Sequence, residues 1–127
     1  MNRPITMLAA LLAMTAVIAG AFGAHGLKAH LSPEALDWWK TGAYYQLVHA
    51  IALFGLGYSP GLSNTARRRV AAAMVTGILV FAGTLYAMAL GGPRWLGAIT
   101  PIGGASLILA WAMIVVFVWR TPTPDAP

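Results

Sequence analysis

Charged residues occur only at certain intervals along this chain, and that spacing limits what it can fold into. Arg3 and Lys28, Lys40 and Arg67, Arg69 and Arg94, and Arg94 and Arg120 bracket four charge-free intervals, residues 4–27, 41–66, 70–93 and 95–119. A helix crosses the hydrocarbon core of a bilayer with about 20 apolar residues at a rise of about 1.5 Å each. Every interval is long enough for one such crossing. Only 9% of residues are charged and 59% are apolar, with a mean hydropathy of +0.73. A soluble domain usually carries about 25% charged residues. Lipid is therefore the expected solvent over most of the surface. In lipid the backbone must satisfy its own hydrogen bonds, which leaves helices or a closed barrel. The apolar runs do not alternate as barrel strands do. The expectation is an all-α integral membrane four-helix bundle, with spans at about 4–24, 42–58, 70–90 and 98–119.

The net charge of +5 comes from eight basic and three acidic residues. The basic residues flank the apolar runs, as they do around membrane spans, so nucleic acid is not an expected partner. The chain has no cysteine, which excludes disulfides, thiolate metal sites and cysteine nucleophiles. Arg3, the apolar run that follows and AGAFGA resemble a secretory signal. The run from Ile5 to Ala24 is longer than a signal core, so it is expected to be retained as the first span.

Four crossings put both termini and the Arg67-Arg68-Arg69 connection on one side, together with Arg3 and Arg120. Lys28, Lys40 and Arg94 fall on the other. The positive-inside rule then predicts cytoplasmic termini, N-in and C-in. Arg67, Arg68 and Arg69 are expected to meet anionic lipid headgroups. Ser32-Pro33-Glu34 reads as a helix start, and Trp38 and Trp39 mark a membrane interface, so a short interfacial helix is expected between spans one and two, running into span two with little or no break around Gly42. Pro101 either starts span four, with Thr100 as its cap, or kinks it. The tail, residues 121–127, is expected to be disordered.

Small residues at Ala9, Ala13, Ala16, Gly20 and Ala24 form a ladder on span one. Gly77, Gly83 and Thr84 offer close-approach positions on span three. Such residues let helices pack closely in lipid. Tyr45, Gln46 and His49 lie within one helical arc and form a polar stripe inside span two. Ionisable groups inside a span are candidate functional groups. His25 closes span one, and it joins the stripe to form a candidate polar cluster if the first connection folds back. His30 belongs to the headgroup level. No paired carboxylates, nucleophile–base pair or phosphate loop is present, so no catalytic residue, metal or cofactor is assigned and the chain reads as a non-enzyme. GAFGAHG lacks the preceding strand of a dinucleotide fingerprint.

GAFGAHGLK at 20–28, YYQLVHAIAL at 44–53, AGTLYAMALGG at 82–92 and ITPIGGASLILAW at 99–111 together resemble the YgdD-like family of small inner-membrane proteins, domain-of-unknown-function family 423. The resemblance implies four spans and a bacterial inner-membrane location, and it implies no reaction. It marks Gly20, Gly23, His25, Gly26, Tyr45, Gln46, His49, Tyr86, Thr100, Pro101, Gly103, Gly104 and Trp111. Gly83 stands in the one stretch that departs from the family, where serine is more usual beside it. Three roles follow from these features. The first is a non-enzymatic structural or assembly subunit, partnered by other membrane proteins or by its own copies. The second is an oligomeric solute, proton or lipid pathway along His49, Gln46 and Tyr45. The third is a haem or metal site between His25 and His49.

Overall fold

A computed structural model describes residues 1–123. Its described residues form four helices, α1 (Arg3–His25), α2 (Pro33–Tyr58), α3 (Asn64–Ala89) and α4 (Leu96–Arg120). The protein is an all-α membrane helical bundle. By length and composition α1, α3 and α4 can each cross a membrane. α2 is as long as α3, but Gln46, His49 and its tyrosines dilute its apolar content.

Side chains placed one turn ahead fix three of the four starts. Asn2 Oδ1 accepts from the Ile5 amide at 3.2 Å, Ser32 Oγ from Ala35 at 3.1 Å and Ser63 Oγ from Ala66 at 3.2 Å. Each satisfies an amide that has no partner within its own helix. One expected boundary holds and one moves. The interfacial helix runs into span two without a break: Ser32 caps α2 itself, which is continuous from Pro33 through Gly42 to Tyr58. Ser63 starts α3 at Asn64, so the three arginines lie inside its first two turns rather than in a loop.

α4 begins at Leu96, which puts Pro101 in the helix interior and removes Thr100 from the cap position. Pro101 has no amide to give the Gly97 carbonyl. The Thr100 hydroxyl instead donates to the Leu96 carbonyl at 3.1 Å and lies 2.6 Å from Thr84 Oγ1 on α3. The turn from α3 to α4 passes through Gly91 at φ +96°, a left-handed conformation open to glycine.

α1 packs on α2, α2 on α3 and α3 on α4, while α1 and α4 share no comparable interface among the described residues. α2 and α3 are thus the central pair, with α1 and α4 on opposite flanks. Leu53, Val70 and Met74 are the largest side chains fully buried between them. Close approach depends on glycine at a few points. A Cβ at Gly23 would meet the Trp39 ring at 2.6 Å, one at Gly77 would meet the Leu107 amide nitrogen at 2.9 Å, and one at Gly103 would collide with the Phe81 backbone. Without a hydrophobic drive between helices in lipid, such contacts supply the dispersion that holds the bundle together.

Successive helices run antiparallel. The Asn2 amide donates to Gly57 O at 2.8 Å, and Thr121 Oγ1 donates to Gly61 O at 3.2 Å. The start of α1, the α2–α3 connection and the end of α4 therefore meet at one end of the bundle. The expected disordered tail begins at Thr121, which is anchored here; residues 124–127 lie outside the described residues.

Candidate functional site

Beside the Thr84–Thr100 pair, the polar side chains buried among the helices form two separate nodes on α2. The first is centred on Gln46, which is 7% exposed. Its Nε2 donates to Leu12 O at 2.9 Å and to Thr15 Oγ1 at 2.8 Å, both on α1. Its Oε1 accepts from the Tyr86 hydroxyl of α3 at 2.7 Å. One amide thus ties three helices, because α2 presents this position to the groove between α1 and α3. Tyr86 is itself wedged by its neighbours: its ring lies 4.6 Å from that of Trp39, and it packs on Gly42. Trp39 in turn donates its indole N–H to Ala19 O at 2.7 Å.

The second node is centred on His49, 6% exposed. The Trp111 indole N–H of α4 donates to His49 Nε2 at 3.1 Å. Nε2 must then carry a lone pair, which puts the ring proton on Nδ1, 2.7 Å from the Tyr45 carbonyl that accepts it. Both ring nitrogens of a neutral imidazole are thereby engaged. Tyr45 points outward and packs its ring on Phe81 at a centroid distance of 4.7 Å.

The polar stripe expected on α2 therefore divides. Gln46 and His49 are three residues apart, about 60° around the helix. That offset turns one toward α1 and α3 and the other toward α4. His25 joins neither node. Thr15 lies beside Gln46, so His25 is ten residues further along α1, about 15 Å, while His49 lies about 4.5 Å the opposite way on antiparallel α2. The axial separation is about 20 Å, too far for a shared haem or metal site. His25 is exposed at the end of α1. No cluster of three or more histidine, cysteine or acidic side chains able to hold a metal occurs among the described residues.

The other marked positions also separate. Gly23, Thr100, Gly103, Tyr86 and Trp111 make the helix contacts described above. Gly104 meets Phe81 only at ordinary contact distance, and Gly26 touches only Phe22 of its own helix. Gly20 and Gly83 have open space where a Cβ would be. Gly20 stays within about 40° of Ala9 and Ala16, which carry the buried face of α1 at 0% and 2% exposure, yet nothing lies within 4 Å of where its Cβ would be. Gly83 lines a lipid-side groove of about 300 Å³ between α1 and α3, floored by Thr15, Gln46 and Tyr86. Sequence reasoning missed Thr15, Trp39, Gly42 and the Ser106 hydroxyl, which donates to Ala73 O at 2.7 Å. Thr15 and Ser106 each carried a signal, as a hydroxyl in the middle of an apolar span, and Trp39 carried one only as an interface marker.

Comparison with known proteins places this arrangement. The family model described as protein of unknown function DUF423 matches residues 19–104. The chain belongs to the DUF423 family. It is 43% identical over 110 residues to a UPF0382 membrane protein of Staphylococcus saprophyticus, covering 87% of this chain and 92% of that one. It is 41% identical to the Bacillus subtilis UPF0382 membrane protein YwdK over 112 residues, covering 87% and 91%. A UPF0382 membrane protein of Haemophilus influenzae is 38% identical over 110 residues, covering 87% and 88%. No solved structure matches the chain significantly. The matched segment of this DUF423 protein runs from the Trp39 anchor at Ala19 through both polar nodes' α2 and α3 partners.

Proposed function

We propose that this DUF423 protein is a non-enzymatic structural or assembly subunit of the bacterial inner membrane that crosses the bilayer four times. One observation carries the reading. Among the described residues, the only buried side-chain nitrogen or oxygen without a hydrogen-bond partner is Arg67 Nε, at the end of the bundle. The buried polar side chains inside the membrane are thus all engaged within the protein, Gln46, His49 and Thr100 each bonding to a neighbouring helix. A proton relay or solute pathway needs groups free to exchange partners, and His49, Gln46 and Tyr45 face three different surroundings rather than one lumen. The broad apolar flanks of α1 and α4, with Leu11, Met14, Ile18, Ile108, Val115 and Trp119 exposed, remain available to lipid or to neighbouring subunits.

The orientation follows from charge. Arg3, Arg67, Arg68, Arg69 and Arg120 gather at one end with no acidic residue among those described, whereas Lys28, Lys40 and Arg94 share the other with Glu34 and Asp37. The arginine end is cytoplasmic by the positive-inside rule. Crosslinking in native membranes followed by purification in mild detergent tests the assembly role. Discrete adducts with a second membrane protein or a second copy are expected, and a lone uncrosslinked monomer overturns it. The pathway alternative predicts proteoliposome flux that falls on substitution of His49; none is expected.

A further inference from the structure

The arginine end contains a built recess. The first turns of α1 and α3 border a cavity of about 700 Å³ lined by Asn2, Arg3, Asn64, Arg67 and Arg68. Arg67 is held in place from below: its guanidinium donates to Asn64 Oδ1 at 2.9 Å, to Leu62 O at 3.2 Å and to the Ser59 carbonyl. All three acceptors are neutral, and its Nε–H is buried without one. Arg3 and Arg68 are exposed and make no hydrogen bond among the described residues. The only ion pair among those residues, Arg94 with Glu34, is at the opposite end. Three guanidinium charges thus border one cavity, and no carboxylate among the described residues balances them. Two helix N-termini add their positive dipole ends to the same space.

We propose that this recess is a binding site for a phosphoryl oxyanion, with Arg3 and Arg68 as the contacting groups and Arg67 as a fixed part of its wall. Guanidinium forks match phosphate oxygens in geometry and keep their charge at the membrane surface. On the four-span reading this end of the bundle emerges at the membrane surface, so an anionic phospholipid headgroup and free phosphate are the two sources of that chemistry. Arg69, the third of the run, does not line the cavity. A general attraction of basic residues to an anionic surface would use all three alike.

Native mass spectrometry of the whole protein in mild detergent tests this, with phosphatidylglycerol, phosphatidylcholine and inorganic phosphate as probes. Phosphatidylglycerol is expected to be retained in preference to phosphatidylcholine. The double variant Arg3→Gln, Arg68→Gln should lower that retention by about tenfold or more, at about one contact's worth of surface attraction per lost arginine. Arg69→Gln should leave it nearly unchanged. Retention that excess phosphate does not displace assigns the site to the lipid, and displacement by phosphate assigns it to a soluble phosphoryl ligand. Equal retention of both lipids with no phosphate bound overturns the proposal, as does equal loss in Arg69→Gln and the double variant. Circular dichroism of each variant separates loss of binding from loss of fold, and both substituted side chains are exposed and outside the core.

Discussion

Gln46 and His49 sit less than one turn apart on α2, are equally buried, and hold the bundle in different ways. Gln46 uses donor and acceptor atoms together and ties α1, α2 and α3. His49 spends one nitrogen on its own helix and reaches only α4, through a tryptophan that is 44% exposed. The difference teaches that a polar residue in a membrane helix is worth what its neighbours let it reach. Burial alone does not rank the two.

The largest effect is expected at Gln46. Gln46→Leu removes three interhelical hydrogen bonds and should lower stability by about 2 kcal/mol, at about 0.6 kcal/mol or somewhat more each. Reversible unfolding by denaturing detergent reads it, and a loss no larger than that of His49→Leu would abolish the distinction between the nodes. His49→Leu keeps a similar volume and gives up one interhelical bond, so about 1 kcal/mol is expected in the same titration. Its mark should be a blue-shifted, less quenched Trp111 emission. Tyr86→Phe leaves the ring against Trp39 and Gly42 and removes only the hydroxyl, for about 0.6 kcal/mol. A double-mutant cycle with Gln46→Leu should recover that amount as coupling energy, and additivity would show that Tyr86 acts through its ring alone. Thr15→Val should cost least, a few tenths of a kcal/mol, because Gln46 keeps the Leu12 carbonyl as acceptor.

The two ends of the bundle repeat the contrast in charge. At the α1–α2 and α3–α4 end, Arg94 pairs with Glu34 at 3.4 Å with both side chains largely exposed. An exposed pair of that kind contributes little. At the other end Arg67 is fixed by neutral oxygens, and Arg3, Arg68, Arg69 and Arg120 are exposed. The first end mixes both signs of charge, whereas the second carries only arginines among the described residues.

Much of this protein was legible before any coordinates. Charges that recur only outside long apolar intervals force helices that traverse a bilayer, since no other arrangement satisfies the backbone there. Ser32 and Pro33 announced the start of α2, and Trp38 and Trp39 announced the interface. The alternation of ends followed from the count of spans, and with it the gathering of five arginines. Rotational and axial placement was not legible. One sequence fixes which residues share an arc on their own helix, but a neighbour's position around that arc depends on how all four helices pack. That is why Gln46 and His49 read as one stripe and serve different helices, and why Gly20 continued a ladder yet meets nothing where its Cβ would be. It is also why His25, a candidate partner for His49, lies about 20 Å from it along the bundle. Thr84 and Thr100 met for the same reason, through a crossing of α3 and α4 set by Gly77 and Gly103. Local chemistry determined the helices and their order; only the packed tertiary structure decided which polar groups would find each other, because hydrogen bonds in lipid are settled by distance and angle between separate helices.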